Sequence, residues 1–423
     1  MLSRMILLLL ALAVQPARDT IAIHAGTMID PATGTVAKNQ IILVRDGKIA
    51  EVGSGVVIPP GARRIDLSAS WVLPGLMDAH THITTEGYTP GVRAEADYLT
   101  ETTARRALRG VRNAELILKA GFTTVRDVGN DANYAAVEVR DAIASGWFAG
   151  PTVLTTGKII APFGGQSSKI SVEQGPFWRF EYIDADTPDD VRKAVRQNIY
   201  YGADAIKLVA DNSPFPYTRE EIAAAVAEAR AAGRPVSVHV LGGEAAMNVI
   251  LGGADSIEHG YDLTDEMLRL MKEKHIALVS TDFPEEHRRM MGLKDAMVGG
   301  RTANERIVDR LRRAIAVGTP LVFGSDTFLN HPPLTKADLM RDYFDRWQAI
   351  GVPPMTALQA LTSNAADLLR IQNARGRIAA GLAADLVATP ANPLQDLRAL
   401  REIQFVMKDG VVIREPAATR QTR

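Results

Sequence analysis

The feature that most limits the fold of this chain is an alternation of strand-like and helix-like runs, sustained from about residue 71 to residue 325. Short β-rich runs separated by longer amphipathic or alanine-rich runs are the signature of βα units around a parallel sheet. The strand-like runs are Trp71 to His82, Phe122 to Asp127, Pro151 to Thr156, Asp204 to Val209, Pro235 to His239, Ser256 to His259, Ile276 to Ser280 and Pro320 to Ser325. Helical patterns from Asp97 to Lys119 and from Thr218 to Ala232 fall between them. Eight such units favour a closed (β/α)8 TIM barrel of the α/β class, although an open doubly wound sheet produces the same string.

The two ends of the chain read differently. From Thr20 to Ile65, and again from Ala384 to Val412, short β-rich runs are joined by turn signals, including Asp46-Gly47 and Asp409-Gly410. Asp-Gly between apolar runs marks a hairpin. Both ends therefore look like strands of one small β-sandwich domain, built from the N- and C-terminal segments and interrupted by the barrel. Arg4 and the apolar run from Met5 to Val14, followed by small residues, read as an export leader too short to span a bilayer comfortably. A buried N-terminal helix is the alternative. The expected organisation is a signal peptide over 1–19, the N-terminal share of the β-sandwich over 20–73, the barrel over 74–374, and the C-terminal share of the sandwich with a tail over 375–423. The expected location is periplasmic or secreted.

Composition narrows the function. A formal net charge of −1, without a lysine/arginine block, gives no reason to expect nucleic acid. No stable membrane association is expected, and a homo-oligomer is left open. The absence of cysteine removes thiolate sites, so any metal here uses nitrogen and oxygen ligands. His80 and His82 stand two apart on an extended run, so both project to one side. Alone, such a pair is equally a pair of surface or turn histidines. The company changes the reading: strand-like runs also end at or near Lys207, His239, His259 and Asp326. In a barrel, C-terminal strand ends converge on one face. Lys207 as an ion-pair partner and Asp326 as a helix cap are the plain alternatives, but jointly the set points to a metal centre.

These residues resemble the amidohydrolase superfamily. The resemblance is carried by Trp71 to His82, Ala205-Ile206-Lys207-Leu208, Val238-His239, Ser256-Ile257-Glu258-His259-Gly260 and Phe323-Gly324-Ser325-Asp326. The tail from Ala357 to Thr362, Gly376 to Ile378 and Gly381 to Val387 is also similar. The subgroup is prolidase-like and imidazolonepropionase-like, whose members hydrolyse dipeptides, N-acyl amino acids and related amides. The resemblance implies two divalent ions, zinc foremost, with a carbamate on Lys207 as bridge. It places His80, His82 and Asp326 on one ion and His239 and His259 on the other. It further implies a hydroxide shared by the ions, a proton relay through Asp326 to the leaving amine, and an oxyanion contact from Tyr217. The expected partner is a small-molecule amide or dipeptide. Hydrolysis of a cyclic amide, carbamate, lactone or phosphoester is the alternative, and a non-catalytic binding protein a further one.

Two departures bear on the substrate. Leu241 stands where many relatives have a second histidine, and Ser325-Asp326-Thr327 is followed by an unusual Phe328-Leu329-Asn330-His331. No role follows from the sequence for His287 or His331. Two long connections, Lys158 to Thr187 and Thr281 to about Gly300, read as binding loops or lids, with plain disorder as the alternative; the first carries the aromatics Trp178 and Phe180.

Overall fold

The strands follow in order: β1 (Ile21–Asp30), β2 (Thr35–Arg45), β3 (Lys48–Gly53), β4 (Arg63–Pro74), β5 (Leu76–Thr81), β6 (Phe122–Asp127), β7 (Thr152–Thr155), β8 (Ile159–Ala161), β9 (Tyr182–Asp184) and β10 (Ile206–Val209). They continue with β11 (Val236–Gly242), β12 (Ser256–Asp262), β13 (Ala277–Val279), β14 (Leu321–Val322), β15 (Leu386–Thr389), β16 (Phe405–Lys408) and β17 (Val411–Arg414). This computed structural model describes residues 20–86, 100–129, 132–167, 171–211, 215–292, 297–329 and 331–416. The expected leader, residues 1–19, lies outside the described residues. Among the described residues no helix is long and apolar enough to cross a membrane.

The terminal segments build one seven-stranded sheet in the order β17-β16-β15-β4-β1-β2-β3. Both Asp-Gly pairs turn as their type demands, with φ of 50° and 79° at Asp46 and Gly47 and 47° and 74° at Asp409 and Gly410. The sheet curls until its far edge meets the chain ahead of β15: Ile49 N donates to Leu382 O at 2.9 Å and Ala384 N to Gly47 O at 2.9 Å. The sandwich is thus one folded sheet around a common core of Ile23, Ile42, Leu67, Leu386, Phe405 and Met407.

The barrel takes β5-β6-β7 and the parallel run β14-β13-β12-β11-β10. Its two seams are closed by backbone bonds. Ala79 N donates to Phe323 O at 2.9 Å beside β14, and Asp204 N to Thr155 O at 2.7 Å between β7 and the chain entering β10. The run read as one strand from Trp71 to His82 divides at Gly75. Trp71 to Pro74 ends β4 and pairs with β15, whereas Leu76 opens the barrel. A Cβ at Gly75 would lie 2.1 Å from Thr123 Oγ1, so only glycine lets the chain pass from sandwich to barrel against β6.

The helices lie where their caps put them. Thr102 caps Thr103–Lys119 through Arg105 N, and Thr218 forms a full capping box on Arg219–Ala231; the start of the expected helix at Asp97 lies outside the described residues. The connection from Lys158 to Thr187 contains β8, β9 and a small core of its own. Trp178 packs there with Ile159, Tyr182 and Val209, and its indole N–H donates to Asp184 Oδ1 at 2.8 Å. Trp178 therefore fastens the loop to β10 instead of presenting its ring to a ligand. In the second long connection, His287 is buried on the helix Glu285–Met290 with Nε2 2.9 Å from Asp342 Oδ2. His331 forms an isolated bridge with Leu334.

Candidate metal centre

The parallel register brings the candidate residues to one end of the barrel. Lys207 on β10 pairs with Ser237 on β11, and Val209 with His239. His239 pairs with Glu258, and Val240 with His259. Asp326 follows β14, and its N–H donates to His80 O at 2.7 Å. Three residues at these strand ends have left-handed backbones: His259 (φ 71°), Thr281 (φ 42°) and Asp326 (φ 50°). Side chains larger than hydrogen disfavour that region, and such strain concentrates at functional sites. At His259 it has a direct consequence. It interrupts the two-residue alternation of the strand, so that Glu258 and His259 both reach the centre.

Three of the donors form a compact buried group. Ligand atoms of His80, His82 and Asp326 lie within 4.8 Å of one another. His82 Nε2 is 3.1 Å and His80 Nε2 3.4 Å from Asp326 Oδ1. The other ring nitrogen of each is taken from behind: His80 Nδ1 meets Glu258 Oε2 at 2.6 Å, and His82 Nδ1 meets Gly129 O at 2.8 Å. An acceptor on Nδ1 takes up a ring proton there and turns Nε2 toward Asp326. The second pair lies beside it, with the rings of His239 and His259 4.3 Å apart and His80 to His259 5.1 Å. His259 Nδ1 is held by Thr281 Oγ1 at 2.8 Å, and His239 Nε2 lies 3.6 Å from Asp211 Oδ1.

Glu258, which the sequence pattern did not mark as a site residue, is the hub behind these ligands. It accepts from Arg126 Nη2 at 2.9 Å and Ser256 Oγ at 2.7 Å as well as meeting His80. Burial would raise its carboxyl, but Arg126 and His80 outweigh burial and hold it at about 2. Asp78 was not marked either. Its carboxylate accepts His80 N at 2.9 Å and Ser325 N at 3.2 Å, tying β5 to the segment that carries Asp326, while burial pushes it up to about 7. The sequence signal for Asp78 is an acid among Leu76, Met77 and Ala79, whereas Glu258 stands in a polar strand that gives no such signal. Gly324 completes the seam, because a Cβ there would lie 2.7 Å from His80 Cβ.

The charges suit a cation. Burial, and then the imidazoles around it, act on Asp326 in opposite directions; His80, His82 and His259 win and hold it well below the usual carboxylate range. Burial and the charge of Lys207 hold His239 at about 3, and burial with His239 holds His259 well below its ordinary value. Neutral imidazoles and an ionised carboxylate are the forms that bind a divalent metal. Lys207 is 2% exposed, and burial lowers its amine to about 8 against the pull of Glu258 and Asp326. The donor set is all nitrogen and oxygen, buried and oriented from behind, and it fits a zinc-type ion.

Tyr217 stands apart from this group. It is 1% exposed among apolar side chains, and its hydroxyl donates to Ala185 O at 2.9 Å. An oxyanion contact would require that bond to break. Tyr261 lies beside the histidines instead, with its ring 5.8 Å from that of His259.

A barrel with these strand ends is matched by known proteins over nearly its whole length: residues 71–413 correspond to the Amidohydrolase family. The chain belongs to that family. This amidohydrolase is 30% identical over 433 residues to "Ochratoxinase" of Aspergillus niger, which covers 93% of this chain and 86% of the relative. A solved Xaa-Pro dipeptidase with bound methionine superposes with a TM-score of 0.81 at 30% identity, covering 93% of this chain and 99% of that one. Molinate hydrolase superposes at 0.78 with 26% identity, covering 93% and 94%. The amidohydrolase is therefore a hydrolase with prolidase-like and ochratoxinase relatives, on a (β/α)8 barrel with a terminal β unit.

Proposed function

We propose that this amidohydrolase is metal-dependent and cleaves the C–N amide bond of a dipeptide or an N-acyl amino acid. The observation that carries the reading is the buried His80, His82 and Asp326 group, with each imidazole already turned by an acceptor behind it. These three would hold one divalent ion, foremost zinc. His239 and His259 would hold a second, with Lys207, as its carbamate, joining the two. When bound, such ions supply Lewis acidity toward a carbonyl oxygen and an attacking water.

The chain's own residues supply the rest. Asp326, ionised and between two imidazoles, takes the proton of the attacking water and returns it to the departing amine, so amide plus water becomes acid plus amine. Glu258 and Arg126 keep His80 in one orientation throughout. A neutral Lys207 amine is the form that reacts with carbon dioxide, and its burial favours that form. The altered rim, with Leu241 where many relatives have a histidine and with an unusual Phe328 after Asp326-Thr327, supports a second reading in which a cyclic amide, carbamate, lactone or phosphoester is the substrate. Phe328 places its ring 6.0 Å from that of His82.

Metal analysis combined with a hydrolysis screen of dipeptides and N-acyl amino acids tests the proposal. Turnover of either class that disappears with chelation and returns with zinc is expected. Metal-independent turnover, or activity confined to esters and phosphoesters, would refute it. Export is proposed on the leader, and N-terminal sequencing from the native host tests it; retained Met1 on a cytoplasmic protein would count against it.

A further inference from the structure

Thr281 has a backbone its own side chain resists. With φ at 42° it occupies the left-handed region, where a β-branched residue is a genuine outlier and glycine is at ease. The strain coincides with a use for the hydroxyl. Thr281 Oγ1 lies 2.8 Å from His259 Nδ1, both groups buried. The Tyr261 hydroxyl donates to Thr281 O at 2.9 Å and lies 3.1 Å from Thr281 Oγ1. Arg310 braces the residues on either side, donating to Ser280 O at 2.8 Å and Asp282 Oδ1 at 2.9 Å, with its guanidinium 5.5 Å from the centre of the Tyr261 ring.

The proton arrangement follows. Tyr261 spends its hydroxyl proton on the Thr281 carbonyl, so its oxygen is an acceptor for the Thr281 hydroxyl proton. Thr281 Oγ1 then faces His259 as an acceptor, and the imidazole proton belongs on Nδ1. That leaves the lone pair of His259 on Nε2. A neutral histidine can carry its proton on either nitrogen, so one tautomer must be selected before the ring can act as a ligand. We infer that Thr281 is a positioning residue, held by Tyr261 in a strained conformation, that selects the Nδ1–H tautomer of His259. The link from tautomer to metal rests on the metal-dependent reading above, whereas the tautomer itself does not.

The test compares Thr281→Ser with Thr281→Ala, which differ only in the hydroxyl. Nitrogen-15 chemical shifts of His259 are recorded on metal-free protein, and zinc affinity is measured by competition with a chromophoric chelator. Thr281→Ser is expected to keep the Nδ1–H tautomer and the wild-type zinc affinity. Thr281→Ala is expected to show both tautomers and to bind zinc at the weaker position roughly 10–100-fold less tightly. An alanine variant with an unchanged tautomer would overturn the inference, whatever its metal affinity or activity. If the alanine variant does not fold, Tyr261→Phe, which frees the Thr281 hydroxyl to turn, must show the same mixture of tautomers. A wild-type protein that holds no zinc while the alanine variant still shifts its tautomer would leave Thr281 in its role and defeat the metal reading alone.

Discussion

The two halves of the candidate centre are built to different standards. Around His80, His82 and Asp326 the donors are already gathered within 4.8 Å, and a carboxylate is one of them. Their support is ionic: Glu258 meets His80 at 2.6 Å and is itself held by Arg126, both fully buried. Around His239 and His259 there are two neutral rings, and the support seen behind His259 is a hydroxyl rather than a carboxylate. One ring rests on the Thr281 hydroxyl at 2.8 Å, and the other lies 3.6 Å from Asp211 Oδ1. Carboxylates behind a ligating imidazole raise its basicity and fix its orientation. Folding alone therefore assembles the first half. The second pair brings no carboxylate into a gathered group of this kind, and the carbamate proposed on Lys207 would supply that anion.

Substitutions can break this comparison in order of expected effect. Asp326→Asn removes the anion and the proton carrier of the first half, so kcat should fall about 10²–10⁴-fold in steady-state assays, with zinc lost from the first position. Full activity in that variant would end the account of Asp326. Glu258→Gln leaves the Arg126 guanidinium buried without its partner. Chemical denaturation should show a loss of about 3–5 kcal/mol, with weaker metal binding at the first half. Equal weakening at both halves would erase the distinction between them. Gly324→Ala drives a Cβ into His80 and Val279 and should cost about 1–3 kcal/mol, read as a lower Tm. Asp211→Asn should weaken only the second half, by roughly tenfold in zinc titrations. An effect on the tight position instead would place Asp211 wrongly.

Much of the fold was legible because it depends on local patterns. The alternation of strand-like and helix-like runs located the barrel strands, and the Asp-Gly pairs at 46–47 and 409–410 turn with both φ positive as that dipeptide favours. The His-x-His spacing put two donors on one side of β5. What stayed hidden depends on breaks in those patterns. Glu258 reads as outward-facing if His259 points in, and only a left-handed backbone at His259 lets both face the centre. Gly75 looks like an ordinary strand glycine until the chain is seen to change units there. Trp178 looks like a loop aromatic awaiting a ligand, but Asp184 and Tyr182 draw it into the loop's own core. Tyr217 has the sequence position of an oxyanion donor, and only three-dimensional packing shows its hydroxyl on Ala185 O.

The central claim is that one half of the centre is formed by folding and the other by Lys207. Metal stoichiometry of Lys207→Ala against wild type, after both are loaded with zinc and desalted, tests it most directly. Close to two zinc ions per wild-type chain and close to one in the variant are expected. The retained ion should bind His80, His82 and Asp326, so that adding Asp326→Asn to the variant releases it. Two ions held by Lys207→Ala, or none, would contradict the account.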